Sequence, residues 1–201
     1  MKSFSQTLVA EIIMNISIFE KARRKYRPDP IKYLLVAETP PRSDSKRFFY
    51  FENVEEQDSL FLETMKCLYP NETRNVETRT IRANKSYFLQ KFQNDGFYLI
   101  DSLDAPFEEQ LSSKKKEALL RAGQKELLTK IKSLCSKKTK IILIAAPVFK
   151  ANHSFLIVNG INVVNKDLVD FPGSGGQKQF REKFGALITL LQTKSVWQNW
   201  V

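Results

Sequence analysis

Residues 32–41 read KYLLVAETPP, a compact apolar run that ends in an acid, a threonine and two prolines. A short apolar segment bounded by prolines is typical of a central strand that is buried on both faces. A helix cannot begin directly after Glu38, because Pro40 and Pro41 disfavour helical backbone in the residues before them. The segment therefore predicts a strand that runs into an irregular loop.

Apolar runs of the same kind recur along the chain and alternate with segments of helical periodicity. FYLID (97–101), KIILIAAP (140–147) and INVVN (161–165) predict the second, third and fourth strands. The predicted helices cover residues 4–19, 55–70, 83–96, 113–135, 148–160 and 176–192. This alternation predicts a single α/β domain over residues 1–201, with three α/β/α layers around a central four-stranded parallel sheet.

The composition points to an anionic partner. The chain carries 32 Lys and Arg residues against 22 Asp and Glu, a formal net charge of +10. Such a charge favours nucleic acid, because each neutralised phosphate releases condensed counterions. Solubility alone is the alternative explanation. Cys67 and Cys135 lie far apart and lack metal-ligand spacing, so neither a disulfide framework nor a metal site is expected.

Targeting signals are not evident. The apolar run at the amino terminus is interrupted by Gln6, Glu11 and Asn15 and has no A-x-A-like cleavage site, so no signal peptide is expected. No stretch approaches the roughly 18 uninterrupted apolar residues that a membrane span requires. We expect a cytoplasmic protein without a membrane partner, and the sequence leaves its oligomeric state open.

Three unusual loops follow predicted strands, at residues 38–41, 101–104 and 171–176. Ligands of parallel sheets bind beyond the carboxyl ends of the strands, so these loops are the candidate site. Glycines that open a helix leave backbone N–H groups free to face an anion, although an ordinary capped turn explains them equally well. The candidate phosphate-binding residues are Gly173, Ser174, Gly175 and Gly176.

Glu38 and Asp101 each end a predicted strand. A carboxylate there is costly unless it is hydrogen-bonded or acts as a base, so the two acids could activate water or read the N–H groups of a base. Capping of a nearby helix or turn is the alternative. His153 is the only histidine and lies in an apolar segment, which argues against a Ser/His/Asp triad or a zinc site. Neither the G-x-x-x-x-G-K-[ST] pattern of nucleotide triphosphatases nor the G-x-G-x-x-G pattern of dinucleotide enzymes occurs.

The motifs, in this order and spacing, resemble those of the uracil-DNA glycosylase superfamily. LLVAETPP resembles the first motif of the bacterial and archaeal family 4 enzymes, with Glu38 and Pro40 on its Glu and Pro. GFYLID resembles the strand that ends in a base-reading Asn, here Asp101. IILIAAP resembles the next core strand, and FPGSGGQKQF resembles the closing loop and its helix. The resemblance covers residues 32–191.

This resemblance implies a uracil-DNA glycosylase-like fold and a DNA-binding protein that hydrolyses the N-glycosidic bond of a damaged or deaminated base. It assigns Glu38 to orienting the hydrolytic water, Tyr50 or Phe51 to stacking on an extruded base, and the loop at residues 173–176 to phosphates. A role in the core is the alternative for the aromatic segment RFFYFE (47–52). The catalytic candidates are Glu38 and Asp101, and the candidates for base or ligand binding are Thr39, Pro40, Tyr50, Phe51 and Asp101.

The chain also departs from the family pattern. Phe171 stands where the family has a histidine, so a donor near the leaving base is missing, and Asp101 replaces an Asn. The four cysteines of an iron–sulfur cluster are missing, so no cofactor is expected. One alternative is therefore a non-catalytic member of the fold that binds nucleic acid or a small ligand. Another is a small-molecule or protein-interaction module with Trp197 and Trp200 on its contact surface.

Overall fold

The structure is a computed structural model that describes residues 18–42, 47–107, 110–173 and 175–197, with side chains described through residue 193. Most of the predicted first helix, together with Ser174 and Trp200, lies outside the described residues, as does the side chain of Trp197. Among the described residues, no helix is long and apolar enough to cross a membrane.

Three strands form a parallel sheet, which confirms the α/β class. They are β1 (Tyr33–Ala37), β2 (Phe97–Asp101) and β3 (Lys140–Leu143). Their order is β2-β1-β3, so the strand predicted from KYLLVAE occupies the centre. Its residues Leu34, Leu35 and Val36 are completely buried, as expected for a strand that is covered on both faces.

The predicted fourth strand at residues 161–165 is not formed. Residues 162–169 run beside β3, but they contact it through two isolated parallel bridges, Ile141 to Val163 and Ile144 to Val169. Between these bridges the side-chain amide of Asn165 accepts from the Leu143 N–H at 3.0 Å and donates to the Leu143 carbonyl at 3.2 Å. Because a side chain takes the place of the backbone here, continuous strand pairing stops.

Nine helical segments accompany the described sheet. They are α1 (18–25), α2 (Ser59–Leu68), α3 (Pro70–Thr73), α4 (Thr78–Ala83), α5 (Lys85–Asn94), α6 (Ser113–Ala122), α7 (Gln124–Leu134), α8 (Ala146–Val158) and α9 (Gln177–Trp197). They pack in groups, α2 against α9 and both α6 and α7 against α8. Helix α5 contacts β2, and α8 contacts β3. A strict three-layer arrangement stays a prediction.

The single helix predicted over residues 113–135 is divided at Gly123 into α6 and α7. A Cβ atom at Gly123 would lie 2.5 Å from Cδ2 of Leu103, so the loop after β2 packs closely against this junction. Glycine has a low helix propensity and accommodates the break. Ser112 caps the first part, since its hydroxyl accepts from the Lys115 N–H.

Candidate functional site at the carboxyl edge of the sheet

The loops after β1 and β2 lie side by side at the carboxyl edge of the sheet. The Ser102 N–H donates to the Ala37 carbonyl at 2.8 Å, and the Leu103 N–H donates to the Glu38 carbonyl at 3.1 Å. On the other side of β1, the Ala145 N–H beyond β3 donates to the Val169 carbonyl at 2.8 Å. The segment that leads into the loop at residues 171–176 therefore reaches the same edge.

Glu38 lies at the end of the central strand and is held by a cation. Its carboxylate accepts a hydrogen bond from Nζ of Lys116, on α6, at 2.8 Å. The side chains are 18% and 29% exposed, so the ion pair remains in contact with solvent. Nζ of Lys116 also lies 5.4 Å from the centroid of the Phe107 ring. Glu38 is thus oriented by α6 while part of its carboxylate stays accessible.

Asp101 is engaged in a buried ion pair, and its assignment as a catalytic and base-reading group stays a prediction. Its Oδ2 accepts from Nη2 of Arg23, on α1, at 2.6 Å. Both side chains are almost fully buried. Burial raises the pKa of Asp101, and the attraction to Arg23 opposes that shift. In this conformation the carboxylate is almost fully buried and one of its two oxygens is occupied by Arg23.

Tyr50 is a core residue, and the assignment of Tyr50 or Phe51 to stacking on a base stays a prediction. Its side chain is fully buried, and its hydroxyl both accepts from the Leu99 N–H at 2.6 Å and donates to the Leu99 carbonyl at 3.2 Å. Phe51 is partly buried and lies 5.7 Å, centroid to centroid, from the ring of Phe19. The core interpretation of the aromatic segment 47–52 is confirmed for Phe48, Phe49 and Tyr50.

The remaining residues of the first loop are only partly accessible. Thr39 is half-buried, Pro40 is buried and Pro41 is half-buried. A proline has no N–H to offer a ligand, so Pro40 shapes the loop and contributes no donor. Of the base-binding candidates in this loop, Thr39 alone presents a partly exposed polar side chain.

The conformation of the loop at residues 171–176 accounts in part for the presence of glycines there. The Gly176 N–H donates to the Gly173 carbonyl at 2.9 Å, and a Cβ atom at Gly176 would lie 2.4 Å from the Phe171 carbonyl oxygen. Gly175 has a φ of +81°, which side chains disfavour. The ring of Phe171 is 46% exposed. Phosphate binding by this loop stays a prediction.

Three exposed lysines lie on helices that begin at the carboxyl edge. Lys114 and Lys115 are on α6, and Lys150 is on α8; we call them the edge lysines. The two helices are joined where Nη2 of Arg121 donates to the Lys150 carbonyl at 2.9 Å. Within the described parts of the chain, the edge lysines have no ion-pair partner. They are therefore available to an anion.

Sequence reasoning missed the cations that hold the two strand-end acids. Lys116 belongs to a lysine run that is typical of a solvated face, and Arg23 belongs to a basic segment at the end of the first helix. An acid at the end of an apolar strand signals that some partner is needed, because an unpaired buried carboxylate is costly. Each partner lies 78 positions away in the sequence, so the signal does not identify it.

The histidine and cysteines have structural surroundings. His153 is half-buried, and its ring lies 4.4 Å from that of Phe149, centroid to centroid. Cys67 and Cys135 are free thiols, and burial raises the pKa of Cys67 to about 12 and that of Cys135 to about 11. Both thiols are therefore protonated at neutral pH and weakly nucleophilic. The described residues contain no group of three or more His, Cys, Asp or Glu side chains that could hold a metal ion.

Known proteins offer no guide to the function of the chain. Comparison with family models, curated proteins and solved structures found no match. The resemblance to uracil-DNA glycosylases therefore rests on the sequence motifs alone. Function has to be inferred from the side chains at the carboxyl edge.

Proposed function

We propose that this chain binds DNA at the carboxyl edge of its sheet, as a uracil-DNA glycosylase-like protein in which Glu38 orients water to hydrolyse the N-glycosidic bond of a damaged or deaminated base. The observation that carries the proposal is the partly exposed Glu38 carboxylate, fixed by Lys116 at the end of the central strand. A carboxylate accepts hydrogen bonds from water and acts as a general base when it is so positioned.

The position of Glu38 in the sheet supports this choice. In the order β2-β1-β3, the chain leaves β1 toward β2 on one side and leaves β3 toward residues 162–169 on the other. Open parallel sheets bind ligands where the connections diverge in this way. Glu38 ends the strand beside that point. The proposed fold places residues 162–169 at the position of a fourth strand.

Lys116 supplies a cation near the proposed reaction site. Phe171 offers no donor at the position of the family's histidine, whereas Lys116 brings an ammonium group to within 2.8 Å of Glu38. A cation of this kind stabilises negative charge that develops on a leaving base. The edge lysines, on α6 and α8, are available to contact the phosphates of the strand.

The second candidate is a DNA-binding protein of the same design without catalysis. A specific observation favours it: Asp101 and Tyr50, two of the residues assigned to the base, are buried and engaged by Arg23 and Leu99. Without Asp101, a base that entered the edge would lack its reading group, and Phe51 would be the remaining candidate for stacking. This candidate shares the DNA-binding surface and differs only in the chemistry.

An excision assay distinguishes the two candidates. The purified protein is incubated with single- and double-stranded DNAs that carry uracil, hypoxanthine, xanthine or a mismatch, and abasic sites are then cleaved with alkali. The proposal predicts cleavage at one lesion that Glu38→Gln abolishes. Glu72→Gln is the matched control, because Glu72 also forms a partly exposed ion pair, with Lys91, but lies on helix α3 and not at the end of β1.

Binding is measured on the same DNAs across a range of salt concentrations. Binding without cleavage selects the non-catalytic candidate. No binding even at low salt overturns both and favours the alternative of a protein-interaction or small-molecule module with Trp197 and Trp200 on its contact surface. Cleavage that Glu38→Gln leaves unchanged contradicts the assignment of Glu38.

A further inference from the structure

A cavity of about 370 Å³ lies between α1, β2 and α7, and Glu38 does not line it. Its polar wall includes Arg23, Arg24 and Arg27 together with Tyr98 and Lys130. Its apolar wall is formed by Phe19, Ile100 and Leu134. The volume falls within the range of small-molecule sites, which combine apolar walls with a few convergent polar groups.

The basic side chains around this cavity differ in how firmly they are paired. Arg23 is buried and bonded to both Asp101 and Glu20. Arg24 pairs with Glu20 through a side chain that is 73% exposed, and Lys130 pairs with Asp104, whose side chain is 55% exposed. Exposed ion pairs contribute little stability, so Arg24 and Lys130 can turn to another anion at small cost.

Arg27, unlike Arg24 and Lys130, is not paired with an acid of the described chain. Its guanidinium has neither a hydrogen bond nor an ion pair to any residue that the structure describes. Its five N–H donors, on a side chain exposed to solvent, therefore have no protein acceptor beside the cavity. A guanidinium in this state is suited to two-point recognition of a phosphate or carboxylate group.

Tyr98 adds a second unused donor. Its side chain is 1% exposed and lines the cavity, and its hydroxyl has no hydrogen-bond partner within the described residues. Burial raises the pKa of Tyr98 to about 12, although Arg23, Arg27 and Arg24 act in the opposite direction. The hydroxyl therefore stays protonated at neutral pH and can donate to an anion.

We propose that this cavity binds a phosphate group, with Arg27 and the Tyr98 hydroxyl as its principal donors. Arg24 and Lys130 would complete the charge of a phosphomonoester dianion by leaving their solvent-exposed acids. The apolar wall would contact the body of the molecule that carries the phosphate. This site goes beyond the proposed function, because it uses neither Glu38 nor the edge lysines.

The phosphate can come from a small molecule or from the end of a nucleic-acid strand, and calorimetric titrations separate these sources. The titrants are inorganic phosphate, adenosine 5′-monophosphate, and one oligonucleotide with either a 5′-phosphate or a 5′-hydroxyl, all at constant ionic strength. Saturable binding of inorganic phosphate is expected. Tighter binding of the mononucleotide identifies a small ligand, whereas a preference for the 5′-phosphorylated strand identifies a strand end.

Three variants of the full chain test the residues. Arg27→Gln is expected to weaken phosphate binding by about tenfold or more, the loss typical of one hydrogen bond to a charged group. Tyr98→Phe is expected to weaken it severalfold without changing the thermal unfolding midpoint. Arg79→Gln is the control, because Arg79 is an exposed arginine on α4 that does not line the cavity.

The outcome is decided by comparing these titrations. No phosphate binding by the unmodified protein, or equal losses for Arg27→Gln and Arg79→Gln, overturns the proposal. Base excision and the binding of DNA without a 5′-phosphate are measured on the same variants. If Arg27→Gln lowers phosphate affinity and leaves those two properties intact, the cavity is a site separate from the carboxyl edge. The two measurements therefore test the phosphate cavity and the proposed DNA site independently.

Discussion

Tyr50 satisfies both backbone groups of Leu99 with one hydroxyl. Leu99 lies in the middle of β2, whose other side pairs with β1. The ring of Tyr50 is buried against Tyr98, with centroids 5.9 Å apart. Because a buried backbone group without a partner costs free energy, this hydroxyl has a structural role that is independent of any ligand.

We expect Tyr50→Phe to lower the free energy of unfolding by about 1–3 kcal/mol, because it leaves the buried Leu99 N–H and carbonyl unpaired. The measurement is urea unfolding followed by circular dichroism. Tyr98→Phe is the matched control, since it removes a neighbouring buried hydroxyl without a partner, and a change within about 0.5 kcal/mol is expected. Equal losses for the two variants would contradict the structural role of Tyr50.

Lys85 is a buried cation outside the candidate site. Its Nζ lies 3.2 Å from Oδ2 of Asp58 and 4.4 Å from the centroid of the Phe61 ring. Arg82 binds the other oxygen of the same carboxylate, at 2.7 Å. Burial lowers the pKa of Lys85 to about 8, and Asp58 opposes this shift. Asp58 thereby links the segment before α2 to α4 and α5.

This lowered pKa predicts a stability that depends on pH. Between pH 8 and 10.5 the unfolded chain keeps a proton on Lys85 that the folded chain has released. The free energy of unfolding therefore rises with pH across this window, by up to roughly 3 kcal/mol relative to Lys85→Met. Urea unfolding at several pH values checks the difference. Lys125→Met, at an exposed site on α7, keeps Lys85 and is expected to show the same rise as the unmodified protein, whereas a rise of equal size in Lys85→Met would refute the assignment.

At the scale of elements, the strands were predictable because their signal is local. Three of the four predicted apolar runs form strands, namely β1, β2 and β3. INVVN carries the same signal, yet the side chain of Asn165 interrupts the pairing by binding Leu143. Helix α4 (TRTIRA) was missed because Ile81 is its single large apolar residue, which leaves no periodicity to detect. Sequence patterns therefore predict the elements that bury an apolar face better than those that polar contacts determine.

We expect Asn165→Ala to lower the free energy of unfolding by about 2–4 kcal/mol, since both backbone groups of Leu143 lose their partner in a buried site. Asn162→Ala is the control, because Asn162 is exposed and makes one longer hydrogen bond, to the Thr139 carbonyl at 3.3 Å; a loss below about 1 kcal/mol is expected. Chemical denaturation compares the two variants, and similar losses would show that the Asn165 amide does not hold this segment to the sheet.

At the scale of the whole molecule, the net charge is +10, and the basic side chains differ in whether they form ion pairs and where they lie. Many basic side chains form ion pairs, including Lys116 with Glu38 and Lys183 with Asp170. The edge lysines are exposed beside the proposed site, whereas Lys132, Lys137 and Lys138 lie where α7 ends and the chain turns into β3, near the amino edge. Composition predicted an anionic partner, but only the fold distinguishes these two groups of lysines.

Replacing all three edge lysines by Gln is expected to weaken DNA binding and to reduce the slope of log affinity against log salt by about 2–3, because each phosphate contact contributes close to one unit. Lys132, Lys137 and Lys138 replaced by Gln lower the net charge from +10 by the same three units and should leave the slope nearly unchanged. Fluorescence anisotropy across salt concentrations measures both triple variants. Equal effects would indicate that total charge, not the carboxyl edge, attracts DNA.

Side chains that bind the outer backbone groups of β2 and β3 also affect how copies of this protein can associate. On the outer side of β2, Tyr50 engages Leu99 and Lys130 engages the Asp101 carbonyl; beside β3, Asn165 engages Leu143. Exposed strand edges promote aggregation and domain swapping, because they recruit strands from other chains. In the described part of the chain these positions are already taken from within the molecule. Association by extension of the described sheet is therefore disfavoured.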